Sequence, residues 1–411
     1  MTALTDEDVA RIRRRSRAAI ISGQVLAGVG MGATFSAGAL LATQLSGSPA
    51  WSGTATTLST LGAAAAAIPL ARLAQRSGRS PALATGSGLA ALGAVLGIVA
   101  TGTGTFPLFL VAMALLGVGT AVNLQSRFAA TDLSEPHRRG RDLSIVVWST
   151  TLGAVLGPNL IGPGDEFGRS VGLPPLSGVF FFSLAAQLVA VAVYLVVLRP
   201  DPLRTALRLG VERGVDEVEM RAEDRSGVVT GILSLALSHA TMASVMAMTP
   251  VHLVEHGATL QIVGLTISLH VAGMFALSPL WGVLSDRVGR APVIGLGQGM
   301  LLASLFMTSL GAEHSGWVLA GLILLGLGWS AATVAASGLV ADSADPLRRT
   351  VVQGRADLTM SLAGGIGAAS AGVVLAAIGY AGLSLVAMGL VAVVLVALVI
   401  RRVRRPRGLD A

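Results

Sequence analysis

The sequence has no cysteine, which excludes disulfides, thiolate metal ligands and catalytic thiols together. It has no lysine either, so all 29 basic residues are arginines. Charged residues of both signs make up only 12% of the 411 positions, and aromatic residues only 4%. A soluble domain typically carries about 25% charged residues. A chain of this length could bury a large core, but it could not cover its surface with so few ionised groups. With 53% hydrophobic residues and a mean hydropathy of +0.74, most of that surface must face lipid. The pI of 11.2 would suit a nucleic-acid binder. The arginines, however, fall in short segments between apolar runs, where membrane topology accounts for them, and no nucleic-acid partner is expected.

A bilayer core of about 30 Å needs roughly 20 apolar residues per helix. Twelve stretches qualify, near 18–45, 53–73, 81–101, 106–128, 143–162, 177–198, 227–249, 259–282, 291–311, 317–339, 358–378 and 381–400. The arginine cluster at Arg11, Arg13, Arg14, Arg15 and Arg17 precedes an apolar run too long for a signal peptide, so the first span reads as a retained helix. With residues 1–17 placed in the cytoplasm, every arginine but Arg169 falls at or near the cytoplasmic side, and the opposite connections around Gly47, Gly102 and Tyr380 are uncharged. Both termini, including the tail 401–411, are therefore expected inside. Segment 199–226 mixes both charges and divides the spans into bundles 18–198 and 227–400. It reads as a linker with a solvated face and an amphipathic helix along the membrane surface.

Three internal echoes occur in the same order, each roughly 210 residues apart. Ala71–Arg79 (A-R-L-A-Q-R-S-G-R) is echoed by Gly282–Arg290 (G-V-L-S-D-R-V-G-R), Gly117-Val-Gly119 by Gly326-Leu-Gly328, and Asp132–Arg139 by Asp342–Arg349. Two homologous six-helix halves give this pattern. The stretch Gly282–Arg290 resembles the signature of the major facilitator superfamily, G-x-L-x-D-R-x-G-R, between the second and third helices of each half. The resemblance spans the chain. It implies an all-α membrane protein with twelve transmembrane helices in two pseudo-symmetric six-helix bundles, working as a monomeric secondary transporter by alternating access in a bacterial inner membrane. In that family, small Gly282 permits close packing and a tight turn at Gly289 carries Asp286, Arg287 and Arg290 to the surface. Asp286 then pairs with Arg141 or meets the positive end of the fifth helix, which latches the halves in one state of the cycle. The first copy carries Ala71 for glycine and Gln75 for aspartate, leaving the matching latch near Arg355 and Asp357 without its acid.

In the fifth helix, Gly153, Gly157, Pro158 and Gly162 resemble the G-x-x-x-G-P-x-x-x-G element of facilitator antiporters. The glycines admit a close neighbour and the proline bends the span; helix packing alone explains the same spacing. Drug–proton antiporters place an arginine before the fourth helix's G-x-G, where this chain has Met113, with Leu116 in place of the usual polar neighbour. No aspartate or glutamate falls deep within an expected span, so the ordinary proton-coupling carboxylate is missing.

What does fall deep is histidine. Four of the six lie between positions 239 and 270, and an ionisable group at mid-membrane is costly and a functional candidate. His239, Met242 and Met246 share one face of the seventh helix, and His270 and Met274 are one turn apart on the eighth. Adjacent antiparallel helices would hold the two histidines at similar depth. Thioether and imidazole suit Cu(I); the same residues also suit gap-filling and interhelical bonding. Met242-x-x-x-Met246 and His270-x-x-x-Met274 resemble the paired motifs of the CcoA-like copper importers, a branch of the same superfamily, which implies copper as the cargo. Met248 and His252 repeat the spacing across Pro250. His252-Leu-Val-Glu255-His256 also fits H-x-x-E-H, an inverted zinc-protease motif, but its place in a short external loop favours a polar loop or a metal-capture patch over a peptidase, and no catalytic site or resident cofactor is expected. Gln24, Asn123, Gln125, Asn159 and Gln187 are candidates for the cavity wall or for helix-to-helix hydrogen bonds. Copper uptake therefore stands first, with proton-coupled efflux of drugs or small metabolites as the alternative and a membrane-embedded sensor or assembly factor as the remote one. The topology is directly testable: reporter fusions at Gly47, Gly102 and Gly257 are expected to report the external side, and fusions at Arg79 and Arg213 the cytoplasm. An external signal at Arg213 breaks the six-plus-six arrangement.

Overall fold

A computed structural model describes residues 5–48, 51, 54–174, 176–212 and 224–404, and these form helices with no strand among them. In chain order the helices are α1 (Asp6–Ser46), α2 (Thr54–Ser77), α3 (Arg79–Thr103), α4 (Phe106–Ala129), α5 (Arg139–Asn159), α6 (Ile161–Ser170) and α7 (Val179–Ala192). They continue with α8 (Pro202–Glu212), α9 (Arg225–Glu255), α10 (Leu260–Phe275), α11 (Ser278–Val288), α12 (Arg290–Leu310), α13 (Ser315–Ser343) and α14 (Arg349–Arg404). Among the described residues, nine segments are long and apolar enough to cross a membrane. The last of them, Arg349–Val403, holds two of the expected spans, divided at Gly379, whose φ of 71° interrupts the helix. All twelve expected spans fall on helices. The expected eighth span, 259–282, is not continuous: α10 ends at Phe275 and α11 begins at Ser278. Pro279, in the first turn of α11, has no N–H to extend the earlier ladder.

The segment expected as a linker contains α8, and its acids are not merely solvated. Asp201 accepts the N–H groups of Ser80 at 2.7 Å and Arg204 at 3.1 Å, so it caps both α3 and α8. Asp224 caps α9 through Gly227 N–H at 2.9 Å and receives Arg401 at 2.9 Å. Residues 213–223 and 405–411 lie outside the described residues. Arg169, the one arginine at odds with the charge asymmetry, is exposed and paired with Asp165 on the next turn of α6. The Leu176 N–H, with Arg169, holds the Asp165 carboxyl below the usual carboxylate range.

Two compact units divide the chain: Met1–Pro136, Ile145–Met220 and Pro346–Leu358 in the first, and His137–Ser144, Arg221–Asp345 and Thr359–Ala411 in the second. The halves expected from the sequence are thus modified at two points, because the first turns of α5 belong to the second unit and those of α14 to the first. Each unit is built around the same kind of backbone contact. In the first, a Cβ on Gly117 of α4 would strike the Ser59 carbonyl of α2, and one on Gly62 of α2 would strike the Ala114 carbonyl of α4. In the second, a Cβ on Gly326 of α13 would strike the His270 carbonyl of α10, and one on Gly273 would lie 2.8 Å from the Ile323 carbonyl. The echoed glycine pairs are therefore crossing points. Gly117→Ala and Gly326→Ala are expected to cost about 1–3 kcal/mol through overpacking, read as loss of thermal stability in detergent. Gly88→Ala, with nothing within 4 Å of the new methyl, is the control and is expected to be neutral or slightly stabilising.

Candidate functional site

The signature Gly282–Arg290 spans the end of α11 and the turn into α12, made at Gly289 with φ 95°. α5 begins at Arg139, and its first N–H groups have no partner within their own helix. The Asp286 carboxylate supplies one: it accepts Gly140 N–H and Arg141 N–H, each at 2.8 Å, and receives the Arg290 guanidinium at 2.6 Å. Of the two partners expected for Asp286, the helix end is the one found. The Arg141 and Arg287 side chains are exposed. Gly282 admits this contact, since a Cβ there would strike Ser144 Oγ and the Gly140 carbonyl. Arg290 also reaches Asp342 at 2.9 Å, and Arg139 reaches the same carboxylate at 2.8 Å. The signature turn is thus a cap, a glycine seat and a four-residue ion cluster, all within the second unit.

The first unit repeats part of this. Arg79 bonds both oxygens of Asp132, at 2.8 and 3.1 Å, as Arg290 bonds Asp342, and it extends to Gln353 at 2.8 Å. Where the second unit has Gly282, the first has Ala71, and the missing space is supplied from the other side: a Cβ on Gly354 of α14 would meet Ala71 Cβ and lie 3.0 Å from the Ala67 carbonyl. Gln75, in place of an acid, donates to the Leu347 carbonyl. Asp357 does not join this turn, and Arg355 is exposed. Instead Asp357 is fully buried and accepts from Arg127 of α4 at 2.7 Å. Asp357 stands one position before the expected span 358–378, so a buried carboxylate lies at its edge.

The two deep histidines both bond α13. Trp329 of α13 donates its indole N–H to His239 Nδ1 at 3.1 Å, and the far edge of that imidazole lies against Gly364 of α14. His270 donates Nδ1–H to the Leu322 carbonyl of α13 at 2.7 Å, and its buried Nε2 has no hydrogen-bond partner among the described residues. The α13 residues bonded by the two rings are seven apart, roughly 10 Å along the helix, the first through its backbone carbonyl and the second through its indole. The helix between α9 and α10, α13, takes both bonds. Met242 and Met274 are buried and Met246 and Met248 half-buried. Met248 sulfur faces Gly372, while His252 donates Nε2–H to the Ala312 carbonyl at 2.7 Å and stacks on Tyr380 at 4.2 Å. His256 packs on His252 with ring centroids 4.1 Å apart. With Glu255, Glu313 and Tyr380 these two rings line a cleft of about 520 Å³ in the second unit. Among the described residues no group of three or more histidine or acidic side chains is placed to hold a metal ion.

Of the fifth-helix glycines, Gly153 makes a backbone contact with Gly28 of α1 and Gly157 is buried, but Gly162 lies on α6 with open space where a Cβ would stand. The side chains of Pro158 and Asn159 lie outside the described residues. Gln24 donates to Thr150 of α5 at 2.9 Å and Gln125 to the Ala67 carbonyl of α2 at 3.0 Å. Gln187 is fully buried on α7 with neither amide atom bonded among the described residues, and Asn123 is half-buried. Sequence reasoning missed Gly354, Asp201 and Arg127, and named Asp357 only as the place of a latch, without its buried partner. Only Asp201 had a signal, as an acid beside a helix start.

Comparison with known proteins adds the following. A family model described as Major Facilitator Superfamily matches residues 20–236 and 231–411. YddS and YdeG of Bacillus subtilis (strain 168), both described as uncharacterized MFS-type transporters, are 38% identical over 369 residues and 37% over 365, with 88% and 87% of this chain and 85% of each relative covered. The riboflavin transporter RfnT of Brucella anthropi is 28% identical over 330 residues, 79% of this chain and 80% of its own. Among solved structures, the human organic anion transporter MFSD10 superposes with a TM-score of 0.77 at 16% identity, covering 94% of this chain and 99% of that one. The proton:xylose symporter XylE superposes at 0.75 and 14%, covering 97% and 96%. At such identities the structures speak for architecture alone. The cap geometry makes its own prediction. Asp286→Ala is expected to destabilise the protein by about 1–2 kcal/mol, the usual worth of a helix cap, whereas Arg141→Ala should stay within about 0.5 kcal/mol as an exposed substitution. Thermal unfolding of the two variants checks both.

Proposed function

We propose that this chain, which belongs to the major facilitator superfamily, is a secondary transporter whose cargo is an organic solute, with riboflavin-like heterocycles as the class to test first. The family works in the lipid bilayer on small solutes, typically as monomers. The arginine-rich end faces the cytoplasm by the positive-inside rule, in a bacterial plasma membrane. The cap on α5 by Asp286 is the latch of the alternating-access cycle, because α5 starts in the second unit and continues in the first.

The observation that carries the choice of cargo is that both deep histidines are already hydrogen-bonded to α13 through Nδ1, while no group of three or more histidine or acidic side chains is placed to hold a metal ion among the described residues. Riboflavin enters from the relative RfnT. Copper uptake remains the second reading on one specific feature: His270 Nε2 is a buried imidazole lone pair without a partner among the described residues, with buried Met274 one turn on. The separating experiment measures flavin and copper in cells with and without the chain. Expression is expected to change the uptake or retention of labelled riboflavin severalfold and to leave cellular copper unchanged, with Asp286→Asn reducing the flavin effect at normal membrane levels. Copper accumulation that depends on the chain and is lost in Met246→Leu and His270→Ala would overturn the organic reading, since Met246→Leu keeps volume and removes only the thioether.

A further inference from the structure

One of the two fully buried ion pairs in the first unit has no counterpart in the second. Position 127 has no charged echo roughly 210 residues on, where Ser337 stands. Arg127 lies in the last turn of α4 and Asp357 in the third turn of α14, with side-chain exposures of 4% and 0%. The guanidinium Nη2 meets Asp357 Oδ1 at 2.7 Å. The other carboxylate oxygen, Oδ2, is buried and has no hydrogen-bond partner among the described residues. A paired buried carboxylate ordinarily has its remaining lone pairs satisfied, because desolvating an ion is recovered only by good geometry on both oxygens. An oxygen so placed is the one at which a further charge or proton would be felt most directly.

The surroundings limit what can bind there. From α4 the facing charge is Arg127, and from α3 it is Arg79, which acts on Asp357 through its charge and is itself tied to Asp132 and Gln353. α2 contributes Ala67 and Ala71 against Gly354, its Arg72 and Arg76 being exposed, and on α14 itself Arg355 is exposed and Arg349 half-buried. A metal cation approaching Oδ2 would meet two guanidinium charges and no further anionic ligand free to hold it. A proton needs neither a coordination shell nor space.

We propose that Asp357 is the proton-binding carboxylate of the transport cycle, with Oδ2 taking the proton. The acid so formed is neutral, and Arg127 keeps its charge, so their ion pair becomes a hydrogen bond to an uncharged acid and the tie between the start of α14 and α4 weakens. The location gives that weakening a consequence. Leu358, the next residue, is the last of α14 in the first unit, and from Thr359 the helix belongs to the second. Proton occupancy therefore acts on the turn where α14 passes from one unit to the other. The inference rests on the transporter reading and is independent of which solute is carried.

The natural absence of cysteine allows a test on the full-length chain. Thr350→Cys is nearly isosteric and places one thiol at the start of α14, at a side chain that is buried. The protein is reconstituted in liposomes, and labelling by a membrane-impermeant maleimide is timed from about pH 8 down to about pH 5. Each rate is divided by that of the same protein unfolded at the same pH, which removes the titration of the thiol itself. Labelling is expected to rise severalfold on acidification with Asp357 present. Asp357→Asn, which mimics the protonated acid, should label fast and independently of pH. Asp357→Glu, which keeps a titratable carboxyl, should restore the pH dependence and guards against a general failure of the asparagine variant to fold. A flat profile in the Thr350→Cys parent, or the same pH dependence in Asp357→Asn as in that parent, overturns the proposal. Since neither flavin nor copper enters the assay, a wrong cargo and a wrong proton site give different results.

Discussion

Lipid gives two apolar helices no hydrophobic reason to associate, so the fold rests on places where one backbone lies directly on another. Gly62 and Gly117 seat α2 and α4 against each other, and Gly273 and Gly326 do the same for α10 and α13. Much else follows from that closeness. Interfaces this tight leave no room for charged side chains, so most ion pairs gather at the arginine-rich end. There the helix starts must find acceptors outside their own ladders, because the first N–H groups of a helix have none within it. Asp201 serves α3, Asp224 serves α9 and Asp286 serves α5. A protein with few acids thus spends several of them on helix ends.

The repeat shows which parts of this end are interchangeable. Arg79 with Asp132 and Arg290 with Asp342 are the same interaction in two copies, and both join the turn before a helix to the end of the next span. The glycine seat is also present twice, but it has changed sides: Gly282 lies on the turn in one unit and Gly354 on the opposing helix in the other. Close approach needs one missing Cβ, and either partner can lack it. The acid of the signature has no such substitute. With Gln75 in its place, the first unit holds the start of α14 by an amide bond to a carbonyl and by the buried pair of Arg127 and Asp357 instead. The two copies thus differ, with a helix cap in one and a buried ion pair in the other.

Much of the fold was legible in the sequence because its signals are local. Twenty-residue apolar runs, the arginine asymmetry and the echoed signature each need only a short window, and the expected helices came from them, while the place of Asp286 near α5 came from the family that the signature resembles. What was not legible depended on partners distant in the chain. Gly354 is unremarkable among the 52 glycines until Ala71 is seen against it. Asp357 sat one residue outside a drawn span, and nothing near it announces Arg127, 230 positions earlier. The break between α10 and α11 was signalled by Pro279 but masked by the apolar run around it. Gly162 was read by spacing as an interface glycine, yet the helix had already ended at Asn159, so the spacing no longer described one face.

The histidines show why residues sharing a helical face need not share a site. Helical spacing correctly placed His270 and Met274 one turn apart, and His239 on the face of Met242 and Met246. It said nothing of which helix those faces meet, and α13 takes the bonds of both rings. For His270 the bond and the crossing are one contact. Leu322, whose carbonyl accepts the ring N–H, lies one helical turn from Gly326, whose missing side chain lets the His270 backbone approach. The glycine brings α10 close enough for the imidazole to reach a carbonyl of α13, and the imidazole in turn anchors the crossing that the glycine permits. Much of the cost of a buried imidazole is thereby met by the fold itself, and its presence at mid-membrane is explained without a ligand. Any cargo role must be carried by what the crossing leaves unused, which is the Nε2 lone pair alone.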